Sequence, residues 1–281
     1  MFSTGGAAIK ACALSNWQVA SFRSGIAAVV LYLLLPGARR GWTWRVLPIG
    51  LAYAATMILY VLANKLTTSA NAIFLQSTAP FYLLLLGPFA LREPIAKIDF
   101  AVVPAIAAGA LLLLLGSAPA AATAPHPGQG NLIAAASGAT WALTIAGLRW
   151  MGKRSPATDA AAATVIVGNL IAFAVCLPLA LPVTHASGTD LEVLLYIGVF
   201  QVALAYVFLT RSLREVPALE AAILLLVEPV FNPLWTWLIH GERPGTLAIA
   251  GGAIIVIAAF AESVWQAGPG RVPAGQVPAD R

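Results

Sequence analysis

Glu228 carries the most unusual chemistry in this chain, because it stands in the run LLLVEPVF, a carboxylate embedded among aliphatic side chains. A charge at the centre of a bilayer costs about 2.5–3.5 kcal/mol on insertion scales, so a glutamate placed there is expected to face protein or water. The proline that follows removes a backbone donor and frees a carbonyl one turn earlier, leaving the middle of the helix kinked and partly polar. Asn232 and Trp235 come four and seven residues later and share its helical face. Two roles fit that stripe. Glu228 is either a cavity carboxylate, acting as proton carrier or as partner of a substrate amine, or it is locked by a helix-capping or interhelical hydrogen bond.

Similar stripes recur in other apolar runs. Tyr53, Met57, Tyr60 and Asn64 share one face; Asn71, Thr78 and Tyr82 share another, with Gln76 and Ser77 beside them; Ser137, Trp141 and Thr144 form a third, and Gln201 lies near the middle of a further run. Any single Ser or Thr in a membrane helix commonly bonds its own backbone. Converging stripes describe instead an apolar and aromatic chamber with a few neutral polar groups and one acid, the usual make-up of a small-molecule pocket. Lys10 and Arg23 also interrupt apolar runs. They either snorkel to the interface or form an anion-binding pair for a substrate carboxylate.

Catalytic constellations are missing. His126, His185 and His240 fall in loops or at the end of a run, with no metal-ligand spacing, no Gly-x-Ser-x-Gly elbow and no phosphate-binding loop. Rings of charge and carbonyl-filter sequences are not evident either. The expected activity is therefore secondary transport of a small solute without ATP, cofactor, metal or nucleic acid; a channel or an intramembrane enzyme is the alternative. Cys12 and Cys176 both lie in apolar runs and read as small buried hydrophobes.

The elements that position these residues follow from composition. Hydrophobic residues make up 60% of the 281 positions and charged ones 10%, with a net charge of +5, and the mean hydropathy is +0.86. That is too apolar for a water-facing domain. A spanning helix needs about 20 predominantly apolar residues. Cutting at charged or Pro/Gly-rich breaks gives ten runs, at roughly 1–14, 18–36, 46–65, 70–91, 98–117, 131–150, 158–182, 191–210, 217–239 and 245–264. The fold expected is an all-α membrane protein of ten transmembrane helices in two inverted five-helix repeats, 1–117 and 131–265, joined by a linker at 118–130 and followed by a disordered tail at 266–281. The first run is short for a span, which suggests that the natural start lies upstream of Met1.

Two observations support the duplication. Pro80 and Pro229, like Glu93 and Glu242, lie 149 positions apart, and the same offset relates Leu75 to Leu224 and Leu85 to Leu234. Cations also alternate between loops. With a cytoplasmic N-terminus, the inner loops hold Arg39, Arg40, Arg45, Arg92, Lys97, Arg149, Lys153, Arg154, Arg211 and Arg214, and the tail adds Arg271 and Arg281. The outer loops hold only Lys65 and Arg243. Such a bias places both termini in the cytoplasm of a cell inner (plasma) membrane protein. Five spans per half then make the second half upside down relative to the first, which builds a pseudo-two-fold site near mid-membrane. Trp17, Trp42, Trp44, Trp150 and Trp265 near run ends read as interfacial anchors. Gly251, Gly252 and the alanine-rich fifth and tenth runs read as close-packing helices that could also pair two copies into a homodimer.

The runs LTTSANAIFLQSTAPFYLLLLGPFALREPI and REVPALEAAILLLVEPVFNPLWTWLIHGERP resemble the paired signature of EamA-type transporters of the drug/metabolite transporter superfamily, and SNWQVASFRSGIAAVVLYLLL, with Arg23, resembles its first-repeat pattern. The resemblance covers about 1–265; Arg92, where glycine is common, and the short first run depart from it. It implies ten helices, a central cavity lined by helices 1, 3, 4, 6, 8 and 9, and alternating access. It also implies export of amino acids or other metabolites, with the aromatic amino acid exporters as the best-suited subgroup.

Overall fold

The computed structural model describes residues 1–86, 98–115, 121–154, 159–213, 215–216, 221, 225 and 227–266. Several expectations fall on positions outside these: the turn holding Arg92, Glu93 and Lys97, the start of the linker, Arg214, Leu224, and the tail beyond Gln266.

The regular secondary structure of the described residues is helical, apart from an isolated bridge between Ala121 and Ala124. After a 3₁₀ turn at Phe2–Thr4 come α1 (Gly5–Ala11), α2 (Asn16–Leu34), α3 (Val46–Leu66), α4 (Ser69–Gln76), α5 (Ala79–Leu86) and α6 (Asp99–Leu115). The second half holds α7 (Pro127–Arg154), α8 (Ala160–Ala180), α9 (Gly188–Tyr196), a π-helical stretch at Ile197–Leu204, α10 (Ala205–Ser212), α11 (Val227–His240) and α12 (Thr246–Gln266). Five stretches are long and apolar enough to cross a membrane: Asn16–Leu34, Val46–Leu66, Pro127–Lys153, Ala160–Ala180 and Gly188–Ser212. Phe100–Leu115 and Thr246–Ala258 are shorter apolar helices.

Local chemistry sets the boundaries. Ser15 and Gln18 form a reciprocal capping box that starts α2 at Asn16, ahead of the apolar run itself. Thr68 caps α4 by accepting from the Asn71 N–H, and Ser187 with Asp190 caps α9. Pro80 explains the break between α4 and α5. It cannot donate to the Gln76 carbonyl and its ring crowds that carbonyl, so the chain stops at Gln76 and restarts at Ala79 with the proline in a first turn. Ser77 Oγ donates to Ile73 O and Thr78 Oγ1 to Leu75 O, each at 2.7 Å, so the end of α4 keeps its carbonyls satisfied.

The bundle is apolar on its outside and holds polar groups inside, the arrangement a lipid solvent demands. Leu33, Leu47, Leu51 and Phe208 are more than half exposed. Ser21, Asn64, Thr164 and Asn169 are fully buried, and each donates to a carbonyl. Principal helix pairs are α2 on α8, α3 on both α7 and α8, α6 on α12, and the π-helical stretch on α2. Small residues bring these axes together. A Cβ on Gly109 would lie 2.6 Å from Gly251 O, and one on Gly251 2.5 Å from Gly109 O, so the α6–α12 contact tolerates only glycine on each side.

Candidate substrate cavity

A small cavity lies where α2, α3, α4, α7, the π-helical stretch, α10 and α11 converge. Its polar wall is built by Arg23, Tyr60, Gln76, Gln201 and Glu228, and its aromatic wall by Phe2, Trp141 and Tyr206. A second, smaller space shares Gln76, Trp141 and Glu228 with it, so these three side chains stand between the two.

Each wall residue is held from behind. The Tyr60 hydroxyl accepts from Asn232 Nδ2 at 3.0 Å, and Asn64 Nδ2 donates to the Tyr60 carbonyl at 3.0 Å. Gln76 Nε2 donates to Ser137 Oγ at 2.7 Å, fixing the end of α4 against α7. Arg23, only 1% exposed, donates from Nη2 to Met57 O at 2.7 Å and approaches the Met57 sulfur at 3.6 Å. Tyr206 is the hub of the aromatic wall. The rings of Phe2, Tyr53 and Trp141 meet it edge-on at 5.4, 4.8 and 6.1 Å between centroids. Gln201 packs against α1 so tightly that a Cβ on Gly5 would lie 2.6 Å from its Nε2. Glu228 sits in the first turn of α11, and its own N–H reaches Leu225 O at 2.9 Å.

Of the residues singled out from sequence, Arg23, Tyr60, Gln76, Trp141, Gln201 and Glu228 meet in the cavity. Others stand one layer back. Tyr53 accepts from Asn169 at 2.9 Å; Asn64 and Asn232 buttress Tyr60; and Thr144 contacts Thr56 Oγ1 at 3.2 Å while donating to its own helix at Thr140 O. Thr78 bonds Leu75 O, and Tyr82 packs on Phe81 with centroids 5.3 Å apart. Trp235 is 37% exposed and approaches Ser3 Oγ at 3.4 Å. The break at Ser77 and Thr78 is the reason: helical counting from Asn71 to Thr78 and Tyr82 assumes an unbroken helix, and Gln76 takes the wall position instead.

Lys10 and Arg23 are not brought together. Lys10 Nζ pairs with Glu242 Oε1 at 3.1 Å, both side chains 5% exposed or less, and it also donates to Thr67 O and Thr123 O. Glu242 Oε2 accepts from Ser69 N at 3.1 Å, and Ser69 Oγ lies 3.1 Å from Asn232 Oδ1. A buried polar chain thus runs from the Lys10–Glu242 pair through Ser69 and Asn232 to the Tyr60 hydroxyl on the cavity wall.

Phe2, Thr56, Val202 and Tyr206 also line the cavity and were not reached by sequence reasoning. For Tyr206 the signal was hidden by geometry. Gln201 and Tyr206 are five residues apart, a separation that α-helical counting puts on different faces and a π-helical turn brings together.

The helical bundle surrounds a small polar and aromatic chamber, and its family and relatives make it a membrane transporter rather than an enzyme. The chain belongs to the EamA-like transporter family, whose sequence profile matches it twice, over residues 1–115 and 128–263. It is similar to the pseudopaline exporter CntI of Pseudomonas aeruginosa strains UCBPP-PA14 and PAO1, 28% identical over 252 residues that make up 88% of this chain and 85% of the relative. A solved crystal structure superposes with a TM-score of 0.70 at 20% identity, covering 95% of both chains, which establishes likeness of fold.

Proposed function

We propose that this chain is a secondary exporter of small metabolites, amino acids or related hydrophobic compounds, working by alternating access without ATP. In this reading ten spans cross a bacterial inner membrane with both termini cytoplasmic, as two inverted repeats, 1–117 and 131–265, joined by the linker at 118–130. The observation that carries it is the make-up of the chamber: Arg23, Tyr60 and Gln76 come from the first half, Trp141, Gln201 and Glu228 from the second. A site shared by two halves changes its access when the halves rock against each other.

Three further observations support the reading. The family profile matches once per half. Helix pairs respect the same exchange: α2 on α8 and α6 on α12 each join a span to the span five further on, and the α3–α8 contact has its counterpart where the π-helical stretch meets α2. Loops expected on one side also gather at one end. Lys10, Thr67, Thr123 and Glu242 meet there, whereas Arg45 lies over the Trp150 ring and Arg149 donates to Leu213 O at the other end.

Purified protein in proteoliposomes loaded with unlabelled amino acids should accumulate external labelled leucine, phenylalanine or tryptophan by counterflow without ATP. In the same assay Trp141→Ala should slow phenylalanine exchange roughly ten-fold through lost aromatic contact, whereas Trp44→Ala, a change at a 73% exposed side chain, should leave it alone. No counterflow of any amino acid would remove amino acids from the proposal, and a flux that never saturates would indicate a channel.

A further inference from the structure

We propose that Arg23 is the anchor for a substrate carboxylate, so that solutes taken into the chamber are small monocarboxylates of the amino acid type, acid group toward α2. This rests on the chamber being the transport site. Arg23 is among the largest fully buried side chains and lines the cavity. A guanidinium stays charged in any protein environment, offers five donors in a planar fork and takes carboxylates bidentately. Its hydrogen bonds here leave only from Nη2 and reach only the neutral carbonyl and sulfur of Met57. Nε is buried without an acceptor. None of the described carboxylates is ion-paired with Arg23, although Glu228 lines the same cavity. A buried cation that borders a cavity with a donor left unused calls for an anion from outside the chain.

The surroundings define which anion. Tyr60 accepts from Asn232 through its hydroxyl oxygen, which leaves the hydroxyl hydrogen available to donate into the cavity beside Arg23. Gln201 is 5% exposed and its Oε1 has no partner, so it supplies an acceptor for a substrate N–H. Phe2, Trp141 and Tyr206 offer rings to an apolar remainder. One net negative charge matches Arg23. A dianionic phosphate would exceed the single positive charge of Arg23 by one. Lys10 is withdrawn from this role by Glu242.

The test compares acids with their carboxamides in proteoliposomes of the full chain. Counterflow of labelled phenylalanine is competed with phenylalanine, phenylalaninamide and phenyl phosphate, and the set is repeated with leucine and leucinamide. In the wild type the acid should compete about 10- to 100-fold better than its amide, the range expected for a charge-assisted hydrogen-bonded pair. Arg23→Gln should bring that ratio close to one, and Tyr60→Phe, which removes a single hydroxyl, should lower it about three- to ten-fold. Should the glutamine variant fail to fold, the wild-type ratio and Tyr60→Phe decide. Equal use of acid and amide by the wild type, or an unchanged ratio in folded Arg23→Gln, overturns the assignment while leaving the exporter reading intact. Stronger competition by phenyl phosphate overturns the carboxylate as ligand. If no labelled compound enters counterflow at all, the exporter reading for amino acids fails first, and this inference falls with it.

Discussion

Glu228 shows how far a single residue can be read. The sequence left it either as a cavity carboxylate or as one locked by a hydrogen bond. It lines both internal spaces, and among the described residues no donor is bonded to its carboxylate. On the exporter reading proposed above, a carboxylate so placed is the candidate for exchanging a proton with the chamber. Glu228→Gln, fixed in a neutral form, should therefore lose export driven by an imposed pH step and retain substrate exchange at equal pH. Proteoliposomes with and without the step make the comparison, and a Gln variant that keeps its gradient-driven export rules the proton role out. At this scale an atypical residue interrupting an apolar run pointed to the cavity wall for Arg23 and Gln201 but not for Lys10, which pairs with Glu242. Tyr53, Asn64 and Asn232 share the same patterns but support the wall from behind, because helical periodicity gives a face and not a depth.

At the scale of elements, the α1 end, the α4 start and the turn after α11 are tied by one buried ion pair, Lys10–Glu242. Removing one partner leaves a buried charge uncompensated, at a cost of about 3–5 kcal/mol, whereas removing both is far milder. Lys10→Met should lower the melting temperature of the purified protein sharply, and Lys10→Met/Glu242→Gln should recover most of the loss. Equal melting of single and double variants would show that the two side chains act independently. The elements themselves were readable from run length, charge and capping residues. Two features were not. Pro80 signalled a disturbance, yet its outcome as a clean break depended on Ser77 and Thr78 satisfying the carbonyls of α4. Ile197–Leu204 carries no composition that marks a π-helix, and the stretch packs on α2.

For the whole molecule, the proposed topology puts the linker at 118–130, whose last residues form the first turn of α7, outside the cell. Gly128 is suited to test this, since it is exposed and a Cβ there would meet nothing within 4 Å, and the native Cys12 and Cys176 are buried. Gly128→Cys should react with a membrane-impermeant maleimide added to intact spheroplasts. Reaction only after the membrane is opened would reverse the topology. What the sequence conveyed at this scale came from arithmetic over many residues, repeat offset and charge parity, which tolerates local errors such as a broken helix.

The four consecutive alanines that open α8, Ala160 to Ala163, are each 2% exposed or less and sit in a helix packed on both α2 and α3. Interlocking ridges hold helices in one relative position, because sliding must lift each side chain out of its groove. A run of methyl groups has no such teeth. If the halves rock as proposed, the start of α8 is expected to act as a plain bearing, offering little friction to the tilting that a two-sided carrier needs. Ala162→Val roughens that surface, at about 1–3 kcal/mol of overpacking, without touching the chamber. Substrate affinity should stay at the wild-type value while turnover drops several-fold and falls more steeply on cooling; a turnover with wild-type temperature dependence would show that α8 stays fixed on its neighbours through the cycle.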